Sequence, residues 1–190
     1  KVSTYEMTLC RFFQYCDQAD EETPMYLFDN EFGEKFPSLL DDYSVPEVLK
    51  TDFFSLLETT KDQDQDETPI DQSPCEEGLR PSYRWILMGP KRSGSTFHKD
   101  PNYTSAWNGL FSGTKKWIMF PPDVVPPGIF PSNKDQDVTA PLSVTEWFLT
   151  YYKACRDLPR DRRPIECIHR PGELIFIPHM WWHSVLNLES

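Results

Sequence analysis

The sequence predicts a mainly β domain with flanking helices, a sandwich or barrel of short strands; a double-sheet jelly roll is one architecture of this kind. From residue 81 onward, short runs rich in β-branched and aromatic residues recur between Gly and Pro turn signals. Helical periodicity is confined to the first 60 residues and to one segment at 143–152. The 190 residues, 14% of them aromatic and 38% hydrophobic, suffice for one real core. We therefore expect one domain over 1–190, with a mostly helical part at 1–60, an acidic loop at 61–78 and the β core at 81–190.

The N-terminal part opens on Tyr5–Tyr15, where Tyr5, Leu9, Phe12 and Phe13 have helical spacing. Met25–Asp29 reads as a short strand. Pro46–Leu49 and Asp52–Leu57 read as short helices, the second with Asp52 as N-cap. Residues 61–78 hold seven carboxylates, one lysine and two prolines. Such a stretch buries too little apolar surface to offset the entropy of ordering, which predicts a mobile surface loop. Strands are then expected at Tyr83–Gly89, Ser95–Asp100, Ser105–Phe111 and Thr114–Phe120, followed by a Pro-rich loop at 121–131. Ser143–Tyr152 reads as a helix whose capping box is Ser143 and Glu146. Ile165–Ile168, Glu173–Ile177 and Trp182–Leu188 complete the strands.

The net charge of −11 argues against nucleic acid as the main partner and suits a basic peptide, although solubility alone also accounts for it. No run approaches the length of a membrane span. The five cysteines, Cys10, Cys16, Cys75, Cys155 and Cys167, are odd in number and lack CxxC spacing. That usage fits reduced thiols in the nucleus or cytoplasm. The start at Lys1-Val2-Ser3, without Met or a leader pattern, reads as a fragment of a longer protein.

The chemistry is carried by His98, Asp100 and His183. Residues i and i+2 of a strand share a face, so His98 and Asp100 can bind one ion while Lys99 points away. His183 must come from a second strand brought alongside. Two imidazoles and one carboxylate suit non-haem Fe(II) and leave positions open for cosubstrate and O2. Lys115 shares a strand face with Trp117 and Met119. It either faces the interior, where it needs an anionic partner, or snorkels to solvent at a strand end. Asn108 either lines the same pocket or sits at a turn edge. One of Trp181 and Trp182 belongs to the core, and the other is placed to wall the site. His179 has zinc-helix spacing to His183, but Pro178 precedes it and no Glu follows, which argues against a metal role. His169, next to Arg170-Pro171, reads as a surface residue at a turn.

Taken together, these stretches resemble the JmjC-domain Fe(II)/2-oxoglutarate oxygenases. The resemblance is carried by Arg84-Trp85-Ile86-Leu87-Met88-Gly89-Pro90, Arg92-Ser93-Gly94-Ser95, His98-Lys99-Asp100-Pro101 and Thr104-Ser105-Ala106-Trp107-Asn108. It continues in Lys115-Lys116-Trp117, Phe120-Pro121-Pro122 and Pro171-Gly172-Glu173 through Trp181-Trp182-His183 to Leu186-Asn187-Leu188. Upstream, Pro24 to Asp29 and Asp42 to Pro46 also match. The similarity is greatest to the phosphatidylserine-receptor-like branch, with its bifunctional arginine demethylase/lysyl hydroxylase, and to plant and fungal JmjC proteins that carry an F-box. It implies a cupin-like double-stranded β-helix with His98, Asp100 and His183 as iron ligands. It further implies Lys115 on the distal carboxylate of 2-oxoglutarate, Asn108 in the same pocket, and Tyr26 and Ser95 lining the cosubstrate or substrate side. Family members continue into a further strand beyond the equivalent of Ser190, so the resemblance implies a barrel truncated at its C-terminal strand.

The expected activity is hydroxylation or demethylation of lysine or arginine side chains in a basic protein such as a histone tail, with the nucleus favoured over the cytoplasm. The competing readings are a non-catalytic binding or adaptor module, such as the substrate-reading part of an F-box protein, and a metal-dependent cupin enzyme acting on a small molecule. Dependence of turnover on 2-oxoglutarate separates the last from the first.

Overall fold

The computed structural model describes residues 5–51, 82–132, 138–141 and 143–189. The helix expected at Asp52–Leu57, the acidic stretch 61–78 and Cys75 lie outside them. The chain divides into two compact units, one of Lys1–Leu27 with Met88–Ser190 and one of Phe28–Leu87.

Ten strands are described. β1 (Leu27–Asp29) pairs with β2 (Ile86–Met88). In the larger unit, β3 (Gly94–His98), β5 (Thr114–Phe120), β8 (Ile165–His169) and β10 (Trp182–Glu189) form a four-stranded sheet in the order β3-β10-β5-β8. β4 (Ala106–Gly109) pairs with β9 (Leu174–Ile177), and β6 (Phe130–Pro131) with β7 (Val138–Thr139). The pairings within this unit are antiparallel. Antiparallel sheets with few helices bear out the mainly β, jelly-roll expectation.

Side-chain alternation divides the four-stranded sheet into two faces. On one, Phe97 of β3, Ile118 and Phe120 of β5 and Trp182 of β10 pack with Val124, Ile129 and Trp147. Trp147 comes from the helix at Val144–Thr150, which we call α2, and lies edge-on to Phe97 at 4.7 Å between ring centroids. On the other face, Trp117 and Met119 of β5 and Val185 of β10 pack with Ile177, and Ala106 and Ile175 join them. The β4–β9 pair therefore covers this second face. Each fully buried side chain of this size contributes roughly 1.5–3 kcal/mol.

Gly94 fixes the entry to β3. Its φ is +152°, and a Cβ there would lie 2.0 Å from the Val185 carbonyl oxygen of the neighbouring strand. The N-terminal helix α1 runs over Leu9–Gln18, capped by Thr8. It starts later than the periodicity predicts and buries only Phe12, while Tyr5, Leu9 and Phe13 stay exposed. Ser143 caps α2 as expected: its hydroxyl accepts from the Glu146 amide at 2.9 Å and donates to Glu22 at 2.9 Å. α2 is shorter than predicted, and its path continues as a 3-10 segment at Tyr152–Asp157.

In the smaller unit, a one-turn helix at Phe32–Lys35 buries Phe32 and is followed by 3-10 turns at Pro37–Leu40 and Glu47–Leu49. Asn30 donates to the Ser82 hydroxyl at 2.8 Å.

Candidate metal centre

The face covered by β4 and β9 brings together the residues singled out from sequence. His98 ends β3, and His183 stands directly opposite it on β10. Their ring centroids are 4.2 Å apart. Asp100 lies just past the end of β3 rather than within it, which corrects the predicted strand boundary. Its backbone remains extended (φ −62°, ψ 143°), so the two-residue alternation with His98 survives the end of pairing. Asp100 Oδ1 is 3.9 Å from His98 Nε2 and 3.6 Å from His183 Nε2. One donor atom from each of the three residues lies within 4.8 Å of the others, a spacing that can hold a metal ion.

The backbone orients both rings. His98 Nδ1 lies 2.8 Å from the Thr96 carbonyl, and His183 Nδ1 lies 3.1 Å from the Trp181 carbonyl. A carbonyl can only accept, so each Nδ1 carries a hydrogen, which leaves Nε2 as the nitrogen of each ring that can offer a lone pair to a metal. Burial, reinforced by His98, pushes the His183 pKa down to about 3, with the Trp181 contact opposing. His183 is therefore neutral at ordinary pH, and its approach to Asp100 is not an ion pair. Burial raises the Asp100 carboxyl, and His98 pulls the other way. A cation at this point compensates both desolvated groups.

Lys115 of β5 is only 8% exposed. Its Nζ donates to the Tyr26 hydroxyl at 3.2 Å, and among the described residues no carboxylate lies within ion-pair distance of it. The snorkelling alternative is thereby set aside. Burial lowers the Lys115 pKa and raises that of Tyr26 to about 12. An unpaired buried ammonium costs several kcal/mol in effective terms, about the order expected of a site that awaits an anion. Asn108 of β4 shares the inner face with Ala106, and its Oδ1 is buried without a hydrogen-bond partner among the described residues. Ser95 would fall on the opposite face from His98 by simple alternation. A register shift between His183 and Val185 sets Ser95 opposite Val185, whose side chain packs on the site face.

Sequence reasoning missed Asn187 and Ser93. Asn187 is 4% exposed; its Nδ2 donates to the Ser93 hydroxyl at 2.9 Å, and its Oδ1 is a second buried acceptor without a partner. It interacts with Tyr26 and stands opposite Lys115 in register. Two-residue alternation from His183 through Val185 points to it. Ser93 lies in a turn and gave no such signal. Trp182 belongs to the core, and Trp181 packs on the site face. His179 is exposed and outside the donor cluster. The surface reading of His169 is overturned: it is 1% exposed and hydrogen-bonded through both ring nitrogens.

The donor set and its surroundings fit Fe(II) with an anionic cosubstrate. Two imidazole nitrogens and one carboxylate leave coordination positions open, and the buried Lys115 with the Asn108 and Asn187 amide oxygens puts further polar groups on the same face.

The model of the cupin-like domain family matches residues 1–190. The chain is 46% identical over 189 residues to the arginine-specific demethylase JMJ22 of Arabidopsis thaliana, covering all of this chain and 34% of that protein. It is 36% identical over 197 residues to the bifunctional arginine demethylase and lysyl-hydroxylase psr-1 of Caenorhabditis elegans, covering 98% of this chain and 43% of that one. It is also 36% identical over 112 residues to the 2-oxoglutarate and iron-dependent oxygenase JMJD4 of Danio rerio, covering 57% of this chain and 24% of that protein. The chain thus spans less than half the length of each of these relatives. With the family model matched from end to end, the chain belongs to the cupin-like domain family, in the JmjC group that its motifs resemble.

Proposed function

We propose that this chain is the catalytic domain of an Fe(II)- and 2-oxoglutarate-dependent protein oxygenase that hydroxylates or demethylates lysine or arginine side chains. The observation that carries this reading is the pairing of a His98/Asp100/His183 donor set with Lys115, a buried cation without a carboxylate partner among the described residues, on one sheet face. The names of the similar proteins support it.

His98, Asp100 and His183 would hold the metal. The chemistry a bound Fe(II) supplies is insertion of one oxygen atom of O2 into a C–H bond, with 2-oxoglutarate oxidised to succinate and CO2. Lys115 binds the distal carboxylate, with Tyr26 holding its ammonium in place. Asn108 and Asn187 offer the pocket's unpartnered polar atoms, and Ser95 lies on the same wall. Trp117, Met119, Ile177 and Val185 exclude water behind the site. The half-exposed His98 side chain marks the open side, where the substrate side chain enters.

The net charge of −11 favours a basic polypeptide such as a histone tail, a substrate that would place the activity in the nucleus. Contact with F-box machinery belongs to the same proposal for the whole protein. The test is succinate production with Fe(II), 2-oxoglutarate and ascorbate, with and without Lys/Arg-rich peptides. Peptide-stimulated succinate is expected, together with gain of one oxygen atom (hydroxylation) or loss of one methylene unit (demethylation) on the peptide. Absence of succinate from a metal-loaded protein would turn the assignment toward a binding module.

A further inference from the structure

We propose that His169 is a positioning residue for His183, acting through the indole of Trp117. The inference rests on the reading of His183 as a metal ligand. His169 ends β8, one strand beyond β5, and stands opposite Lys115 in register. Among the described residues, the donor cluster is His98, Asp100 and His183, and His169 is outside it.

The Trp117 indole N–H donates to His169 Nδ1 at 3.2 Å. Nδ1 must accept, so the ring hydrogen sits on Nε2, which donates to the Glu173 carbonyl at 2.9 Å. Both ring nitrogens are thereby committed, and neither is available to a ligand. The carbonyl that anchors the far end is itself fixed by a closed turn. The Glu173 amide donates to the Arg170 carbonyl at 3.1 Å, and the Arg170 amide to Glu173 Oε2 at 2.7 Å.

At its other end the relay meets the metal site. The Trp117 ring stacks on the His183 ring at 6.2 Å between centroids, with 26° between planes. The Trp181 carbonyl fixes one edge of His183 but leaves its tilt free, and a flat indole against the ring face removes that freedom. The indole can do this only while its own rotation is fixed, which is what the bond to His169 does. All three rings are nearly or fully buried, so no water substitutes for a lost partner. Outer-shell groups that fix a ligand ring typically contribute about 10–100-fold in metal affinity.

The test uses Co(II) as a redox-stable probe, titrated into the protein by visible absorbance without cosubstrate, alongside thermal melting by circular dichroism. His169→Leu should weaken Co(II) binding about tenfold. Trp117→Phe keeps a ring on His183 but removes the N–H, and should weaken binding by a similar factor. The double variant should be no weaker than either single one, because both break the same relay. His169→Gln, whose amide can both accept and donate, should recover most of the affinity. A role confined to stability would lower the melting temperature and leave the Co(II) dissociation constant unmoved. Wild-type affinity in folded His169→Leu or Trp117→Phe overturns the inference, as do additive losses in the double variant. Should His169→Leu fail to fold, Trp117→Phe and His169→Gln decide the matter. Co(II) binding that survives His183→Ala overturns the metal reading underneath, and the inference with it.

Discussion

On β10, Trp182 packs with Phe97, Ile118, Phe120 and Trp147 on one side of the sheet, while its neighbour His183 faces Asp100 and His98 on the other. One strand thus serves two surfaces of opposite chemistry. The helix-covered face buries mainly aromatic and aliphatic groups. The face under β4 and β9 buries His183, Lys115, His169 and Asn187, and leaves the amide oxygens of Asn108 and Asn187 without partners among the described residues. Buried polar groups in that condition lower stability unless a ligand satisfies them. Labour is thus divided within a single sheet: one side holds the fold, and the other carries a cost that a bound ligand would offset.

The largest expected effect is on the site face. His183→Ala and Asp100→Ala should abolish 2-oxoglutarate turnover while leaving the melting temperature of the metal-free protein unchanged or higher. Succinate assays paired with thermal melts check this; a large drop in melting temperature would show that the site face also holds the fold. Trp147→Ala on the other face should do the reverse, costing about 3–5 kcal/mol of stability through the cavity it leaves. Denaturant unfolding measures that loss, and metal affinity in the folded fraction should stay intact.

Lys115→Met sharpens the comparison, since it removes a charge without removing bulk. It should cost about 2–5 kcal/mol of 2-oxoglutarate binding, read as a raised dissociation constant. It should also change the pH dependence of stability in a defined direction. Burial lowers the Lys115 pKa below 10.5, so the unfolded chain binds this proton more tightly than the fold does. Stability of the ligand-free protein therefore rises as pH climbs from the lowered pKa toward 10.5, and the variant loses that rise. The smallest effect is expected at the edge of the helix-covered face. Ser143→Ala removes the cap of α2 and should cost about 1 kcal/mol, with activity unchanged.

Much of this division was legible in the sequence because strand alternation is a local property. Thr114–Phe120 was bounded correctly, and its two faces followed from counting by two. His98 and Asp100 fell on one face for the same reason, although the strand itself ends before Asp100. Long-range pairing was not legible. Nothing local shows that His183 stands opposite His98, or that a register shift returns Ser95 to the site face. His169 was misread because the Arg170-Pro171-Gly172 turn beside it signals surface, whereas burial there is set by β5 and by the Glu173 carbonyl. On the same strand, Ile165 and Ile168 are exposed, so hydrophobicity pointed the wrong way for three residues of β8. The stripe of α1 failed likewise, since only Phe12 meets a partner that buries it.

On the proposed function, His98, Asp100 and His183 hold one metal beside a binding place for an anionic cosubstrate. Anaerobic titration of Fe(II) and 2-oxoglutarate, followed by the visible charge-transfer absorption of the chelate, tests it most directly. A saturable band is expected in the wild-type protein. No band is expected in His98→Ala, Asp100→Ala or His183→Ala, and a band only at much higher 2-oxoglutarate in Lys115→Met. A band that persists in the three ligand variants, or none in the folded wild-type protein, would contradict it.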